Sequence, residues 1–388
     1  MSLDVTIITF LISLAILLVL MPPFIKLMEK YKILDKAGGR KIHTGYTAHM
    51  GGIIIFIAFV VSVISMSFLF PNKLDLQKML YVGIITAIML FVGIRDDLHN
   101  ISPWGKLFFE ILVGILMSYI GIRLTNLNGF LGIYQIPTFV GYGITICFFV
   151  VVVNAYNLID GIDGQAGMQA LNVFFFCMLF CILICYQEIS KPQGNSMPLF
   201  LYISSWAILG SIVGFLRYNW QKARVFMGDS GSLFIGTLIT IFIITTTKYA
   251  IIYTNIDAKT LSNSHSIMGH HLKACIAPFI ALFYLPMADT LRVFIARARK
   301  GKSPFSADKG HIHHMFLRIG YSHQRCTLTT FGISFCISII GIVLAFFFND
   351  NVCIPLIIAS WFGYVYILRA FIKKQIKKIR KNNFKFVK

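Results

Sequence analysis

Long apolar runs alternate with short polar segments along the whole chain. Runs of about 17 to 25 residues, the length that crosses the hydrocarbon core as a helix, recur throughout. We place eleven spans at residues 4–25, 50–70, 79–94, 106–122, 138–158, 166–186, 198–216, 231–247, 273–296, 328–348 and 353–371. The pattern predicts an all-α polytopic membrane protein with about eleven transmembrane helices and a single integral membrane domain over residues 1–372.

The composition supports this class. Hydrophobic residues make up 57% of the 388 positions and charged residues only 13%, which is too apolar for a soluble domain of this length. The first span follows no basic segment and precedes no small-residue cleavage site, so it is predicted to be a retained helix and not a removable signal peptide.

The distribution of Lys and Arg orients the predicted spans. When the connecting segments alternate between the two sides, 28 of the 35 Lys and Arg residues fall on one side, which the positive-inside rule makes cytoplasmic. The N-terminus is therefore expected outside and the basic tail, residues 373–388, in the cytoplasm. The net charge of +20 then reflects topology and attraction to the lipid bilayer. Nucleic-acid binding is not expected, because no basic and aromatic binding module is recognisable.

Two connecting segments are expected to lie outside. Residues 249–272 are polar and long enough to form a small external insert. Residues 125–137 place Gly129 and Gly132 between residues that favour strands, which indicates a hairpin.

Three polar clusters interrupt the apolar pattern: RDDLHN at residues 95–100, NAYNLIDGIDG at 154–164 and MGDSGS at 227–232. Carboxylates at the ends of membrane segments are costly and commonly functional. The predicted topology brings five of them to the cytoplasmic face: Asp96, Asp97, Asp160, Asp163 and Asp229. Each cluster alone could be a turn or a capped helix end, but together on one face they indicate a site.

The spacing within the clusters suggests metal and phosphate chemistry. Asn154, Asn157, Asp160 and Asp163 recur every three residues, which places them along one side of a helix end. Asp229 lies just before a helix, whose first backbone N–H groups could bind an anion. Carboxylates beside such a terminus suggest Mg²⁺ holding phosphates, and Mn²⁺ would suit the same donors.

Two basic cytoplasmic loops could supply phosphate-binding groups. Their candidates are Arg40, Lys41 and His43 in the first loop, and Arg297, His311, His313 and His314 in the loop between spans nine and ten. Lys and Arg here also obey the positive-inside rule. The histidines could bind zinc or an anion, and the anion is favoured because Lys309 is close and no Cys is nearby.

Five motifs carry a family resemblance: RKIH followed by GG, GIRDDLHNISPWGKL, NAYNLIDGIDG, FMGDSGSLFIG and SPFSADKGHIHH. From Asp35 to about Gly320 the chain resembles the polyprenyl-phosphate N-acetylhexosamine-1-phosphate transferases. The last motif is more similar to the bacterial undecaprenyl-phosphate N-acetylglucosamine-1-phosphate transferases than to the muramoyl-pentapeptide transferases. Ala48 and His49 stand where many members have a Pro before the paired glycines, and Ala37 stands where a Pro usually follows Asp35.

The resemblance implies a Mg²⁺-dependent transferase in the bacterial inner membrane. A polyprenyl phosphate would attack the β-phosphorus of UDP-N-acetylglucosamine, giving undecaprenyl-diphospho-N-acetylglucosamine and UMP, the first membrane step of cell-envelope polysaccharide synthesis. A homodimer is an expected assembly. The alternatives are the muramoyl-pentapeptide substrate, another UDP-N-acetylhexosamine donor, and, of a different class, a membrane transporter. Carboxylates at one face, with no internal repeat and no GxxxxGK[ST] loop, disfavour transport.

The resemblance also implies residue roles. Asp229 would be the main Mg²⁺ ligand and Asn157 a second one. Asp96 and Asp97 would face the polyprenyl phosphate, and Asp163 would hold the uridine end. The remaining members of the predicted site are the catalytic Asp160, the phosphate-neutralising Lys41, His313 and His314, the uracil-stacking Phe226, and the substrate-binding Arg40, His43, Asn154, His311 and Arg297. Asp97 as a general base is one hypothesis, and a covalent carboxyl phosphate is its rival.

Overall fold

The computed structural model describes residues 3–36, 46–69, 74–190, 197–254, 272–301 and 310–385. Most residues in these ranges are helical, and two pairs of short antiparallel strands lie between helices. The elements follow in the order α1 (Leu3–Lys30), β1 (Leu34–Lys36), β2 (Tyr46–Ala48), α2 (Gly52–Leu69), α3 (Leu76–His99), α4 (Pro103–Tyr119), β3 (Asn126–Phe130), β4 (Ile133–Gln135), α5 (Thr138–Ile159), α6 (Gln165–Ser190), α7 (Met197–Asn219), α8 (Gly228–Thr254), α9 (Ala277–Leu282), α10 (Tyr284–Ala298), α11 (Ile312–Arg318), α12 (His323–Phe347) and α13 (Asp350–Lys385).

The helices confirm an all-α polytopic membrane protein. Within the described ranges, nine of them are long and apolar enough to cross a membrane: α1, α2, α3, α5, α6, α7, α8, α12 and α13. The other two predicted spans, 106–122 and 273–296, correspond to α4, which has 17 residues, and to the pair α9 and α10. The count of eleven and the orientation of the termini stay predictions.

The ninth predicted span is two helices and not one. α9 ends at Leu282 and α10 begins at Tyr284, with Phe283 between them at φ −116° and ψ 20°. Pro286 explains the break, because a proline ring clashes with the carbonyl four residues earlier in a continuous helix, and that carbonyl belongs to Leu282. The freed Leu282 oxygen accepts hydrogen bonds from the side chains of Asn172 at 3.0 Å and Gln169 at 3.4 Å, both on α6.

Helix α8 is the centre of the bundle. In the most apolar 18-residue stretch of α8, 83% of the residues are buried. Helices α2, α3, α5 and α6 pack around α8. Glycines let two of these neighbours touch the backbone of its first turn. A Cβ at Gly93 of α3 would lie 2.3 Å from the Asp229 carbonyl oxygen, and one at Gly52 of α2 would lie 2.1 Å from the Gly231 Cα. Only glycine permits this approach, so α2 and α3 fix the position of Asp229.

The connecting segments agree with the sequence where they are described. Strands β3 and β4 pair antiparallel, which confirms the hairpin predicted at residues 125–137. Of the predicted external insert 249–272, helix α8 includes 249–254, and residues 255–271 lie outside the described ranges. Residues 373–385 of the predicted tail continue helix α13, so at least this part of the tail extends a membrane helix.

Candidate active site

The N-terminus of α8 is capped by a carboxylate from another helix. Asp97, near the end of α3, accepts the backbone N–H of Asp229 at 2.8 Å through Oδ1 and that of Ser230 at 3.0 Å through Oδ2. His49 Nδ1 lies 3.4 Å from Asp97 Oδ1, and the Asp97 side chain is 2% exposed. A negative charge at a helix N-terminus is favourable. The sequence predicted that these N–H groups would be free for a ligand anion, and for these two that prediction is wrong.

Lys106 joins two of the predicted carboxylates. Its Nζ lies 2.5 Å from Asp229 Oδ2 and also pairs with Asp96 Oδ2. Asp96 further accepts the backbone N–H of Ile101, in the turn before α4. Lys106 belongs to the first turn of α4, which starts at Pro103 after the N-cap Ser102. Helices α3, α4 and α8 therefore meet at one ammonium group.

The second polar cluster brings two more carboxylates to the end of α5. Asp160 is the C-cap of α5; burial and the nearby carboxylates of Asp229, Asp97 and Asp163 raise its pKa to about 8. Asp163 is buried, lies 3.3 Å from His323 Nδ1 and accepts the backbone N–H of Ala223 at 3.3 Å. Asp163 thus ties the turn after α5 to the α7–α8 loop and to the start of α12.

The two asparagines of this cluster differ in their surroundings. Asn154 donates from Nδ2 to Glu110 Oε2 at 2.7 Å and to the Val150 carbonyl at 2.9 Å. Glu110 is 1% exposed, and its Oε1 has no hydrogen-bond partner among the described residues. Asn157, almost one turn further along α5, is half-buried. The buried Glu110 therefore orients the Asn154 amide.

The histidine motif separates into two environments. His311 Nδ1 lies 2.9 Å from Asp289 Oδ2, and Arg292 pairs with the other Asp289 oxygen. His313 packs over the second cluster, since a Cβ at Gly161 would lie 2.7 Å from its Nε2. His311 therefore anchors the start of α11 on α10, whereas His313 faces the turn that carries Asp160 and Asp163.

The ionisation of His313 bears on its predicted role. Burial and the neighbouring His314 and His311 lower the pKa of His313 to about 3. The imidazole is then neutral at pH 7 and would act on a phosphate as a hydrogen-bond donor without a charge. The ring of His314 is half-buried and lies 4.3 Å from that of His313, measured between centroids.

The remaining predicted residues are spread around this centre. The backbone N–H of Phe226 donates to the Ala48 carbonyl at 2.8 Å, which joins the segment before α8 to β2, and its ring is half-buried. Arg297 is 4% exposed, with its guanidinium 5.9 Å from the centroid of the Phe294 ring. Arg40, Lys41 and His43 lie outside the described residues.

Three residues of the site were missed by the sequence analysis, although each left a signal. Lys106 is a cation in the first turn of a helix, where the helix dipole disfavours positive charge. Glu110 and Asp289 are acidic residues inside apolar stretches, FFEILVG and YLPMADTL, and an ionisable group in such a position is functional by default.

The donor set fits a divalent cation bound together with substrate. Across the ranges the structure describes, no three His, Cys, Asp or Glu side chains form a metal site on their own. Mg²⁺ does not need one, because it takes one or two carboxylates and completes its shell with phosphates and water. The Asp229 side chain is 27% exposed, against 9% for Asp96 and 2% for Asp97. Asp229 is thus the most open of these three carboxylates.

Comparison with known proteins agrees with this geometry. Residues 79–247 match the family model for glycosyl transferase family 4, and all five predicted aspartates lie inside that match. This part of the chain is similar to the glycosyl transferase family 4 model. The resemblance predicted from the motifs is thereby confirmed.

Similar proteins extend the likeness over most of the chain. A probable undecaprenyl-phosphate N-acetylglucosaminyl 1-phosphate transferase of Bacillus subtilis is 29% identical over 345 residues, which covers 87% of this chain and 84% of the relative. Undecaprenyl-phosphate α-N-acetylglucosaminyl 1-phosphate transferases of Yersinia pestis and Escherichia coli K12 are 29% and 27% identical, and cover 96% and 92% of this chain and 94% and 91% of their own lengths.

Proposed function

We propose that this protein transfers N-acetylglucosamine-1-phosphate from UDP-N-acetylglucosamine to undecaprenyl phosphate at the cytoplasmic face of a bacterial inner membrane. The observation that carries the proposal is the carboxylate cluster that α3, α5 and α8 build inside the residues that match the family 4 model. The names of the similar relatives give the same acceptor, undecaprenyl phosphate, and the same transferred group, N-acetylglucosaminyl 1-phosphate.

An apolar groove beside the carboxylates suits the lipid acceptor. A cavity of about 470 Å³ lies between α5, α10 and α13 and reaches Asn154, the partner of Glu110. Its other walls are apolar and aromatic, among them Leu291, Phe294 and Trp361. A polyprenyl chain has no polar group along its length, so it could pass from the hydrocarbon of the bilayer into such a surface without losing hydrogen bonds. Its phosphate would then lie near the end of α5.

The chemistry requires positioning and charge neutralisation more than acid–base catalysis. Phosphoryl transfer makes modest covalent demands on the protein, and a phosphate monoester with a second pKa of about 6 is already largely a dianion at neutral pH. An oxygen of the lipid phosphate would bond to the β-phosphorus while the bond to the bridging oxygen breaks and UMP leaves. A Mg²⁺ ion held by Asp229 and Asn157 would neutralise the diphosphate of the donor.

The protein's own residues have distinct parts in this scheme. Asp97 is a positioning residue, because both its oxygens already accept backbone N–H groups of α8; it holds Asp229 in place and does not take a proton. Lys106 keeps a positive charge between Asp96 and Asp229. His313 would donate a hydrogen bond to a phosphate from above Gly161.

The reaction can be tested directly on purified protein in detergent. The assay combines undecaprenyl phosphate, Mg²⁺ and radiolabelled UDP-N-acetylglucosamine, and follows the label into the organic phase. We expect lipid-linked label that disappears with Asp229→Ala or without Mg²⁺ and persists with Asp75→Asn, a matched change of a carboxylate at the other end of α3. Mn²⁺ in place of Mg²⁺ tests the alternative metal.

Three further arms separate the alternatives. UDP-N-acetylgalactosamine and UDP-N-acetylmuramoyl-pentapeptide replace the donor, and transfer from either of them alone would contradict the proposed sugar. Omitting the lipid tests the covalent route, which predicts UMP release without an acceptor. Absence of transfer from all three donors would contradict the reaction class and favour the transport alternative.

A further inference from the structure

A second cavity, whose lining includes charged residues, lies at the end of the bundle opposite the carboxylates. Its volume is about 130 Å³, and its lining includes three cations: Lys78 of α3, Arg123 after α4, and Lys248 of α8. Lys78 precedes Asp96 by 18 residues on the same helix, a distance of about 27 Å at 1.5 Å per residue. The cavity is therefore separate from the proposed active site.

The three cations are incompletely neutralised. Lys78 pairs with Asp75 at 2.9 Å, Arg123 donates to the Ser118 carbonyl at 2.9 Å, and Lys248 reaches the Gly121 carbonyl only at 3.5 Å. The buried Nε of Arg123 has no hydrogen-bond partner in the part of the chain that the structure describes. Among the described contacts, three positive charges thus share one carboxylate around a small cavity.

The positive-inside rule makes this cluster unexpected. With the predicted orientation, only seven of the 35 Lys and Arg residues lie on the external side, and three of those seven line this cavity. Topology does not select for external cations, and like charges at close range repel each other. Their grouping therefore calls for an anion.

The surface beside the cavity indicates a lipid. Tyr81 lines the cavity and is 37% exposed, and Ile84, three residues further along and therefore next to Tyr81 on the surface of α3, is 56% exposed. This apolar surface of α3 faces the hydrocarbon if α3 spans the membrane. A headgroup in the cavity could thus keep its acyl chains in the bilayer.

We propose that Lys78, Arg123 and Lys248 form a binding site for the phosphate group of an acidic phospholipid at the external end of the bundle. The phosphate would receive hydrogen bonds from Arg123 and from the two ammonium groups. Because α3, α7 and α8 all contribute to the cavity, such a lipid would link three helices and stabilise the bundle. This inference does not rest on the proposed transferase activity.

Binding can be measured by native mass spectrometry of the full chain in detergent with added phosphatidylglycerol or phosphatidylcholine. We expect tighter binding of phosphatidylglycerol and a loss of about fivefold in its affinity for each cation removed by Lys78→Gln, Arg123→Gln or Lys248→Gln. Lys273→Gln is the matched control, since Lys273 is an exposed cation on the same predicted side that does not line the cavity. Size-exclusion chromatography reports whether each variant folds. If Arg123→Gln does not fold, Lys78→Gln and Lys248→Gln are enough to test the proposal.

Three results would overturn the proposal. The first is equal binding of the two lipids, or an unchanged preference for phosphatidylglycerol when Lys78 and Lys248 are both Gln. The second is displacement of phosphatidylglycerol by millimolar inorganic phosphate with an equal thermal stabilisation, which would assign the cavity to a free anion. A similar loss of affinity with Lys273→Gln would reduce the effect to general surface charge.

Discussion

The substitution Asp97→Asn separates a positioning role from a base role. Each Asp97 oxygen accepts one backbone N–H, at 2.8 Å and 3.0 Å, whereas an Asn side chain offers one acceptor oxygen and one donor NH₂. In either orientation the NH₂ meets a backbone donor. The change therefore removes one charge-assisted hydrogen bond, about 1.5–3 kcal/mol, together with the negative charge at the N-terminus of α8, about 0.3–1 kcal/mol.

The expected cost is about 2–4 kcal/mol in the free energy of unfolding. At about 2 °C per kcal/mol, which is the lower end of the range for larger chains, Tm should fall by roughly 4–8 °C. Asp75→Asn is the matched control, because Asp75 caps α3 with a single backbone bond from Lys78 and Asn caps a helix as well as Asp does. We expect it to cost less than about 1 kcal/mol.

The assay pairs thermal unfolding in detergent with transferase kinetics over a Mg²⁺ titration. The positioning role predicts a lower Tm together with a higher Mg²⁺ requirement, since Asp229 loses the contact that fixes its backbone. A general base predicts the opposite pair, an unchanged Tm with a lost kcat. An Asp97→Asn variant with wild-type Tm would refute our reasoning about the cap, whatever its activity.

Substitutions at three other positions test separate parts of the site. Asp229→Asn should lower kcat by about 10²- to 10³-fold, the range for removing one electrostatic stabiliser, and near-normal turnover with an unchanged Mg²⁺ titration would contradict its metal role. Gly93→Ala places a Cβ against the Asp229 carbonyl and should cost about 1–3 kcal/mol by overpacking; an unaltered Tm would argue against the close α3–α8 packing. Glu110→Leu removes one of the two acceptors of the Asn154 amide and leaves the Val150 carbonyl; it should cost about 1–3 kcal/mol, whereas Glu110→Gln, which keeps the acceptor, should unfold within a few degrees of wild type.

The positions of most helices could be predicted from hydrophobicity alone. The runs at 138–158 and 198–216 correspond to α5 and α7 with differences of three residues or fewer at each end. The run at 273–296 contains Pro286, whose ring forbids a continuous helix through Leu282. That break could have been predicted from the proline; the hydrogen bonds to the Leu282 carbonyl could not, because Asn172 and Gln169 lie more than 100 residues away.

The sequence predicted which carboxylates would converge, but not what each one contacts. Topology placed Asp96, Asp97 and Asp229 on one face, and the shared contacts with Lys106 and the α8 backbone bring them together. Which of them is open to a ligand depends on the helix packing at Gly52 and Gly93. A sequence pattern does not contain such distances, so the cap formed by Asp97 could not be foreseen.

The charge balance of the site favours the proposed divalent cation in binding as well as in catalysis. Both proposed substrates are anionic, and the described centre offers five carboxylates against one ammonium group, that of Lys106. Raising the pKa of Asp160 to about 8 keeps one carboxyl neutral at pH 7, while His313 adds no positive charge. The excess negative charge would repel a diphosphate, so we expect a divalent ion at Asp229 to supply compensating positive charge. The need for compensating charge is a physical reason why the nucleotide-sugar donor would bind together with its metal ion.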